Sequence, residues 1–236
     1  MTTKRKSTLL IVLVVIWALI IWKTGLLNHL SLEAIQVNQL WLKNQVASNF
    51  ALALAVTSLI YFLFVAMGLP GLFILAVCCG YLFGTAIGSA ILIFVGGLGS
   101  FVPYTLSKFF FADWIGQKFS NWIPKIKAEL DKSPALYMLA MRLNPAIPFI
   151  VQNTVPGFLG ISTKVYIPTT FIGLTPPSIA VAMFGSGLNG IFTEQGGLSI
   201  GTVMSSEIVT SLFLISLFIL IPLILRSIKS RFKHEK

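Results

Sequence analysis

Residues 134–160 read PALYMLAMRLNPAIPFIVQNTVPGFLG, and how this stretch folds decides the architecture of the chain. It is apolar enough for a bilayer, yet it carries Pro134, Pro145, Pro148 and Pro156 together with Arg142, Asn144, Gln152 and Asn153. A spanning helix tolerates a proline because neighbours re-satisfy the freed carbonyl, but prolines at 145, 148 and 156 do not fit one continuous helix. The chain must therefore break at membrane depth. Broken backbone is allowed there only when it is buried in protein or lines a wet cavity, so the break implies a surrounding bundle and a polar pathway.

Arg142 sharpens this reading. No Lys, Arg, Asp or Glu occurs over 44–107, 165–193 or 208–225, so Arg142 is the one formal charge inside an apolar segment. An arginine at the bilayer centre costs about 2.5–3.5 kcal/mol on insertion scales, so its side chain should face the bundle interior and find partners there. Two roles stand side by side. Its donors could clamp the carbonyls freed by Pro145 and Pro148, or they could grip an anionic group such as phosphate.

Composition sets the class. Of 236 residues, 56% are hydrophobic and 10% charged, and the mean hydropathy is +0.90. That describes an all-α integral membrane protein with room for about five to seven membrane segments in one domain. The net charge of +10 does not point to nucleic acid, because the basic residues flank apolar segments: Lys4, Arg5 and Lys6, the lysines of 108–132, and the tail from Arg226 to Lys236. Such placement marks cytoplasmic loops against an anionic lipid surface, with the C-terminus cytoplasmic. Cys78 and Cys79 are adjacent in an apolar run, and packing is their expected role. No cluster of Cys, His, Asp or Glu suggests a metal, no phosphate-binding glycine loop is present, and no histidine lies in an apolar segment. An enzyme and a cofactor are both unexpected.

Along the chain, residues 7–22 form an uncharged run after three basic residues; with no small-residue cleavage site following, a retained anchor is expected. Residues 24–47 suggest a partly amphipathic interfacial segment. The expected divisions are an N-terminal anchor and interfacial segment (1–47), a core (48–190), and a loop, last span and basic tail (191–236). Within the core, a clean span over 49–66 leads to Gly68-Leu69-Pro70-Gly71 and then Gly80-Tyr81-Leu82-Phe83-Gly84-Thr85. Two half-length apolar arms around a glycine-rich bend predict a re-entrant hairpin at about 68–87. A span over 88–111 follows, lined by Gly96, Gly97, Gly99 and Ser100, which suit close helix packing, and Pro103 should kink its end. Residues 112–133 read as a surface helix with an apolar stripe and opposed lysines. Hairpin 2 covers about 135–160, and a further span over 164–188 should be broken at Thr175-Pro176-Pro177.

The two interrupted regions correspond. Pro70 precedes Gly80 and Gly84 much as Pro148 precedes Gly157 and Gly160, and a proline-interrupted span follows each, which points to inverted repeats around a midplane site. The bends are assigned to Pro70, Gly80, Gly84, Pro145, Pro148 and Gly157. Counting crossings back from a cytoplasmic tail puts the start of 7–22 outside, against Lys4, Arg5 and Lys6; either that segment does not cross or one hairpin does.

Gly80-Tyr81-Leu82-Phe83-Gly84-Thr85 with Gly88, Gly99-Ser100 with Tyr104 and Ser107-Lys108, and Arg142-Leu143-Asn144-Pro145 with Pro148-Phe149, Asn153 and Gly157 resemble the DedA superfamily, in its VTT-domain branch of SNARE-associated Golgi-type membrane proteins. The resemblance covers roughly 65–190. It implies two facing re-entrant hairpins, each with a following span, and the movement of phospholipid or polyprenyl phosphate between leaflets of a bacterial inner membrane. Some members carry acidic residues in the first hairpin; none is present here. On this reading Arg142 would contact phosphate, with Asn144, Gln152 and Asn153 as neutral partners, and membrane lipids as the cargo. Two other classes fit the residues: a secondary transporter of a small anion or metabolite, and a non-transporting organiser working through 112–133. A homo-oligomer is compatible with each.

Overall fold

The computed structural model describes residues 32–111, 127, 130–144, 147–193, 209–211, 213 and 214. The 7–22 anchor, most of the surface helix over 112–133, Pro145, and all but the start of the last span and the tail lie outside these residues. Among the described residues every regular element is helical, and three stretches are long and apolar enough to cross a membrane: Phe50–Met67, Leu72–Phe110 and Thr163–Asn189.

Two short helices, α1 (Leu32–Val37) and α2 (Gln39–Ser48), come first. α2 buries none of its residues, while Ile35 of α1 packs among Val77, Tyr81 and Leu188. The first span, α3 (Phe50–Met67), is started by the Asn49 side chain, which accepts from Leu52 N at 3.1 Å, and is stopped by Gly68 in the left-handed region (φ 65°). One face of α3, with Tyr61, Phe64 and Val65, is buried. Leu52, Val56, Leu59 and Leu63 stay exposed, as a lipid-facing surface requires.

α4 (Leu72–Ala90) is not one rod. At Gly84 the backbone takes φ 74° and ψ 177°, a conformation essentially restricted to glycine. The chain doubles back there: a methyl on Gly88 would lie 2.9 Å from Gly80 Cα, whereas an unbroken helix would hold residues eight apart about 12 Å from each other. The arm over 72–83 is about 18 Å long and too short for a hydrocarbon core of about 30 Å. From Thr85 the helix runs on through a π turn (Ile91–Val95), α5 (Gly96–Leu106) and a second π turn (Ser107–Phe111). The returning arm and the following span, expected as separate pieces divided near residue 88, are thus one continuous helix, because Gly88 is helical and closes the crossing with Gly80. Pro103 lies within α5, between the two π turns at Ile91–Val95 and Ser107–Phe111.

The second half also has two short helices ahead of a long one. α6 (Pro134–Leu143) ends at Asn144, which is extended (φ −92°, ψ 105°). α7 (Phe149–Phe158) starts after Pro148, and Gly160 (φ 79°) turns the chain into α8 (Thr163–Thr193). The break expected at Thr175-Pro176-Pro177 is absent: α8 continues through Pro168, Pro176 and Pro177. Prolines remove donors without forcing a break where neighbouring helices support the segment, and Thr175 Oγ1 donates to Phe171 O at 2.8 Å just before the proline pair.

Packing is crosswise. α3 lies on α5, where Gly99 meets Val65 and Phe62 O, and α6 lies on α8, where Gly173 meets Arg142 Cβ. Each short arm lies on the long helix of the other half. Gly80 sits against the Ala182 backbone and Gly185 against Val77 O, while Gly157 of α7 sits against Ser107 Oγ and Tyr104 O. Glycine is needed at these crossings because backbone meets backbone; a Cβ at any of them would overlap the partner.

Candidate functional site: a buried guanidinium

Arg142 occupies the last turn of α6 and is only 4% exposed. Three neutral side chains receive it. Its Nη1 donates to Asn153 Oδ1 at 2.6 Å, and its Nη2 donates to Tyr166 Oη and to Thr170 Oγ1, both at 3.0 Å. Asn153 comes from α7, and Tyr166 and Thr170 stand one turn apart on α8, so the guanidinium ties together the three helices around the second break. Tyr166 passes its own proton to Ser100 O at 3.0 Å, which extends the network to α5.

Tyr166 also stacks on Tyr104, with ring centroids 3.9 Å apart and 13° between the planes. The Tyr104 hydroxyl donates to Ile161 O at 2.7 Å and lies 3.2 Å from Thr163 Oγ1. It accepts from Lys108 Nζ at 3.3 Å. The stacked pair thus has a cation at each end: Arg142 Cζ is 5.5 Å from the Tyr166 ring and Lys108 Nζ is 5.6 Å from the Tyr104 ring.

The network has donors to spare. A guanidinium offers five N–H groups, and Arg142 uses three. Its Nε and the Nδ2 of Asn153, which is fully buried, have no partner among the described residues. A buried donor without an acceptor costs about 1–3 kcal/mol, and both orphans here are donors beside a positive charge. The described acidic residues are Glu33 and Asp131, both exposed, and neither pairs with Arg142. Among the described residues, the cluster holds no negatively charged acceptor.

The carbonyl freed by Pro148 is held by other groups. Gln152 Nε2 donates to Asn144 O (3.3 Å), the carbonyl that Pro148 leaves without its helical donor, and to Ile147 O (2.9 Å). Of the residues expected at the site, Arg142 and Asn153 meet directly, while Gln152 faces the loop and Asn144 contributes a carbonyl to it. Among the expected bends, Gly84 makes the first turn and Pro148 caps the second, with Pro70 just ahead of α4. Gly80 and Gly157 lie inside helices at close crossings, and Gly160 makes the turn after α7. Tyr166, Thr170 and Tyr104 were not singled out as contacts. Tyr166 and Thr170, polar residues four apart in an apolar segment, share one helix face, and that spacing was the available signal. Asn189 was missed as well: its Nδ2 donates to Tyr81 O at 3.0 Å, across from α8 to the first break.

The VTT domain model matches residues 69–187, from the start of the first arm to near the end of α8. The chain belongs to the VTT-domain family. Ser100, Arg142, Asn153, Tyr166 and Thr170 all fall within the VTT domain; α1, α2 and α3 precede it. The chain is 27% identical to a Transmembrane protein 41 homolog of Caenorhabditis elegans over 144 residues, covering 60% of this chain and 58% of that one. It is 26% identical to the Drosophila melanogaster homolog over 175 residues (71% and 51%). It is 30% identical to Uncharacterized protein YqeD of Bacillus subtilis over 129 residues (54% and 60%). The chain thus spans between half and three fifths of the length of these relatives. No solved structure matches it. Membership of the DedA/VTT group, expected from the glycine and Arg-Leu-Asn-Pro motifs, is thereby shown, and with it that this is a membrane protein.

Proposed function

We propose that this VTT-domain protein moves phosphate-bearing lipids, phospholipid or polyprenyl phosphate, between membrane leaflets, without a chemical step. The observation that carries the reading is the donor surplus at Arg142: a buried guanidinium held by neutral side chains, with Arg142 Nε and Asn153 Nδ2 both lacking an acceptor. A permanent ion pair would need a resident carboxylate; a surplus of donors suits an anion that comes and goes. The backbone supports the same reading. We take the arm over 72–83 and the α6–α7 pair as re-entrant hairpins of inverted repeats, because each short arm packs on the long helix of the other half. Half-length arms meeting inside the bundle would thin the apolar barrier, so that a headgroup could pass while the acyl chains stay in lipid. We place the protein in a bacterial inner membrane with its basic C-terminus cytoplasmic and the lipids as its partners, as a monomer or a homo-oligomer.

The burial of the cluster favours a second reading, transport of a small anion, since a guanidinium only 4% exposed has no open face toward lipid. The experiment is reconstitution of the full chain in liposomes, with fluorescent lipids of several headgroups in one arm and labelled anionic solutes in the other. Leaflet exchange that falls at least about tenfold in Arg142→Ala, while the variant still inserts, supports the lipid reading, since losing a charged hydrogen-bond donor costs about 1.5–3 kcal/mol. Full exchange in both Arg142→Ala and Arg142→Lys would overturn it, and solute uptake without lipid exchange would favour the second reading.

A further inference from the structure

Lys108 is built into the fold in a way that the Arg142 cluster does not explain. It lies in the π turn that ends the first long helix, followed at once by Phe109, Phe110 and Phe111. Phe109 and Phe110 are 69% and 42% exposed on an apolar helix, which places them against acyl chains. A lysine at such a boundary ordinarily reaches outward to water. Lys108 instead folds back, and its ammonium donates to the buried Tyr104 hydroxyl at 3.3 Å. That contact uses one of three N–H donors, and among the described residues no carboxylate pairs with it.

A second cation converges on the same place. The Tyr104 hydroxyl is fixed to Ile161 O and lies beside Thr163 Oγ1, in the turn that Gly160 begins. Lys127 Nζ stands 3.6 Å from where a Cβ on Gly160 would be. Residues distant in sequence thus bring two ammonium groups and a hydroxyl to one turn, next to exposed phenylalanines. Like charges repel, so an arrangement with no carboxylate between them among the described residues calls for an anion. The adjoining apolar surface selects an anion with hydrocarbon attached over a free one.

We infer that Lys108 and Lys127 seat the phosphate of an anionic phospholipid at the Gly160 turn, with its acyl chains along Phe109 and Phe110. Its place as the outer contact of a path whose inner contact is Arg142 rests on the translocase reading, since the stacked Tyr104–Tyr166 pair joins the two cations. The seat itself does not depend on transport.

The test uses the full chain in detergent with phosphatidylglycerol carrying a photoreactive group in its acyl chain, and reads crosslinking on the peptide holding Phe109 and Phe110. Lys108→Gln should lower that crosslinking about tenfold, the loss of one charge-assisted contact, and Lys108→Arg should keep it. Lys43→Gln, which removes a lysine that lies over the Tyr81 ring at the first break, should leave it within about twofold. Lys127→Gln should lower it less than Lys108→Gln, because Lys127 is exposed. Unchanged crosslinking in Lys108→Gln would overturn the proposal. So would loss of crosslinking on adding millimolar inorganic phosphate, which would make the seat one for a free anion. Crosslinking that depends on Lys108 in a protein that exchanges no lipid would uphold the seat and refute the translocase reading.

Discussion

Replacing Tyr166 with Phe removes one oxygen from the centre of the Arg142 network and leaves the ring, so the 3.9 Å stack on Tyr104 survives. Two hydrogen bonds of 3.0 Å disappear, the one from Arg142 Nη2 and the one to Ser100 O, along with a 3.5 Å contact to Asn153 Oδ1. Neutral interhelical hydrogen bonds in membranes average about 0.6 kcal/mol with an upper end near 1.7, while bonds to charged groups in proteins reach about 1.5–3. The bond from Arg142 belongs at the join of these ranges, about 1.5 kcal/mol, and the bond to Ser100 O at about 0.6. Tyr166→Phe should therefore lower stability by about 2 kcal/mol. Tyr104→Phe is the control. It loses the 2.7 Å bond to Ile161 O and the long contact from Lys108, and should lose only about 1 kcal/mol. Both are read from equilibrium unfolding in mixed micelles with increasing denaturing detergent. A cycle with Arg142→Met isolates the charged bond, and its coupling to Tyr166→Phe should be about 1–1.5 kcal/mol. A coupling under about 0.5 kcal/mol, or a Tyr104→Phe loss equal to that of Tyr166→Phe, would show that Arg142 is not held by the phenol.

The two halves make contrasting glycine predictions. Gly84→Ala should cost about 1–3 kcal/mol through backbone strain alone, since φ is 74° and nothing lies within 4 Å of the added methyl. Gly157→Ala replaces glycine inside a helix, where alanine is intrinsically favoured by about 1 kcal/mol, yet it should destabilise, because the methyl would meet Ser107 Oγ and Tyr104 O. The same unfolding measurement checks both, and a stabilised Gly157→Ala would mean that α7 does not press on the 107–111 turn. Asn189→Leu removes the donor to Tyr81 O and should speed amide exchange around 84–88 several-fold while leaving 144–152, which Gln152 holds, unaffected. Maleimide should label Cys78, which is part-exposed, ahead of the buried Cys79; equal rates would contradict the packing of the first arm on α8.

The class of the protein was legible because bilayer physics leaves few choices: long uncharged runs, basic flanks and a charge-bearing, proline-rich stretch permit little besides a helical membrane bundle with a broken segment. The break at 144–148 followed from Pro145 and Pro148, and the burial of Arg142 from the cost of a charge in hydrocarbon. The precise turning points were less legible. Gly80 and Gly84 look alike in sequence, but one faces the Ala182 backbone and the other adopts a conformation closed to other residues, a distinction made only by the opposite helix. Pro176 and Pro177 were over-read for the same reason, since a proline breaks a helix or is carried by it depending on its tertiary surroundings.

The division of labour at the second break follows from which donor is cheaper to bury. The carbonyl freed by Pro148 receives Ile147 N at 3.2 Å and the amide of Gln152, one turn into α7, at 3.3 Å, both neutral donors. A neutral amide serves a carbonyl at a lower desolvation cost than a second buried charged group would. Because Gln152 closes the loop, the charge is left for side-chain oxygens alone, and those of Asn153, Tyr166 and Thr170 satisfy three of its five donors and leave two, Nε among them. On the translocase reading, the remaining Nε is the donor that an arriving anion would meet. Gln152→Leu should therefore loosen the loop while sparing the Arg142 network, and Asn153→Leu should do the reverse. If exchange of amides at 147–152 rises equally in both variants, the two functions are not separate and the case for a dedicated anion-binding arginine fails.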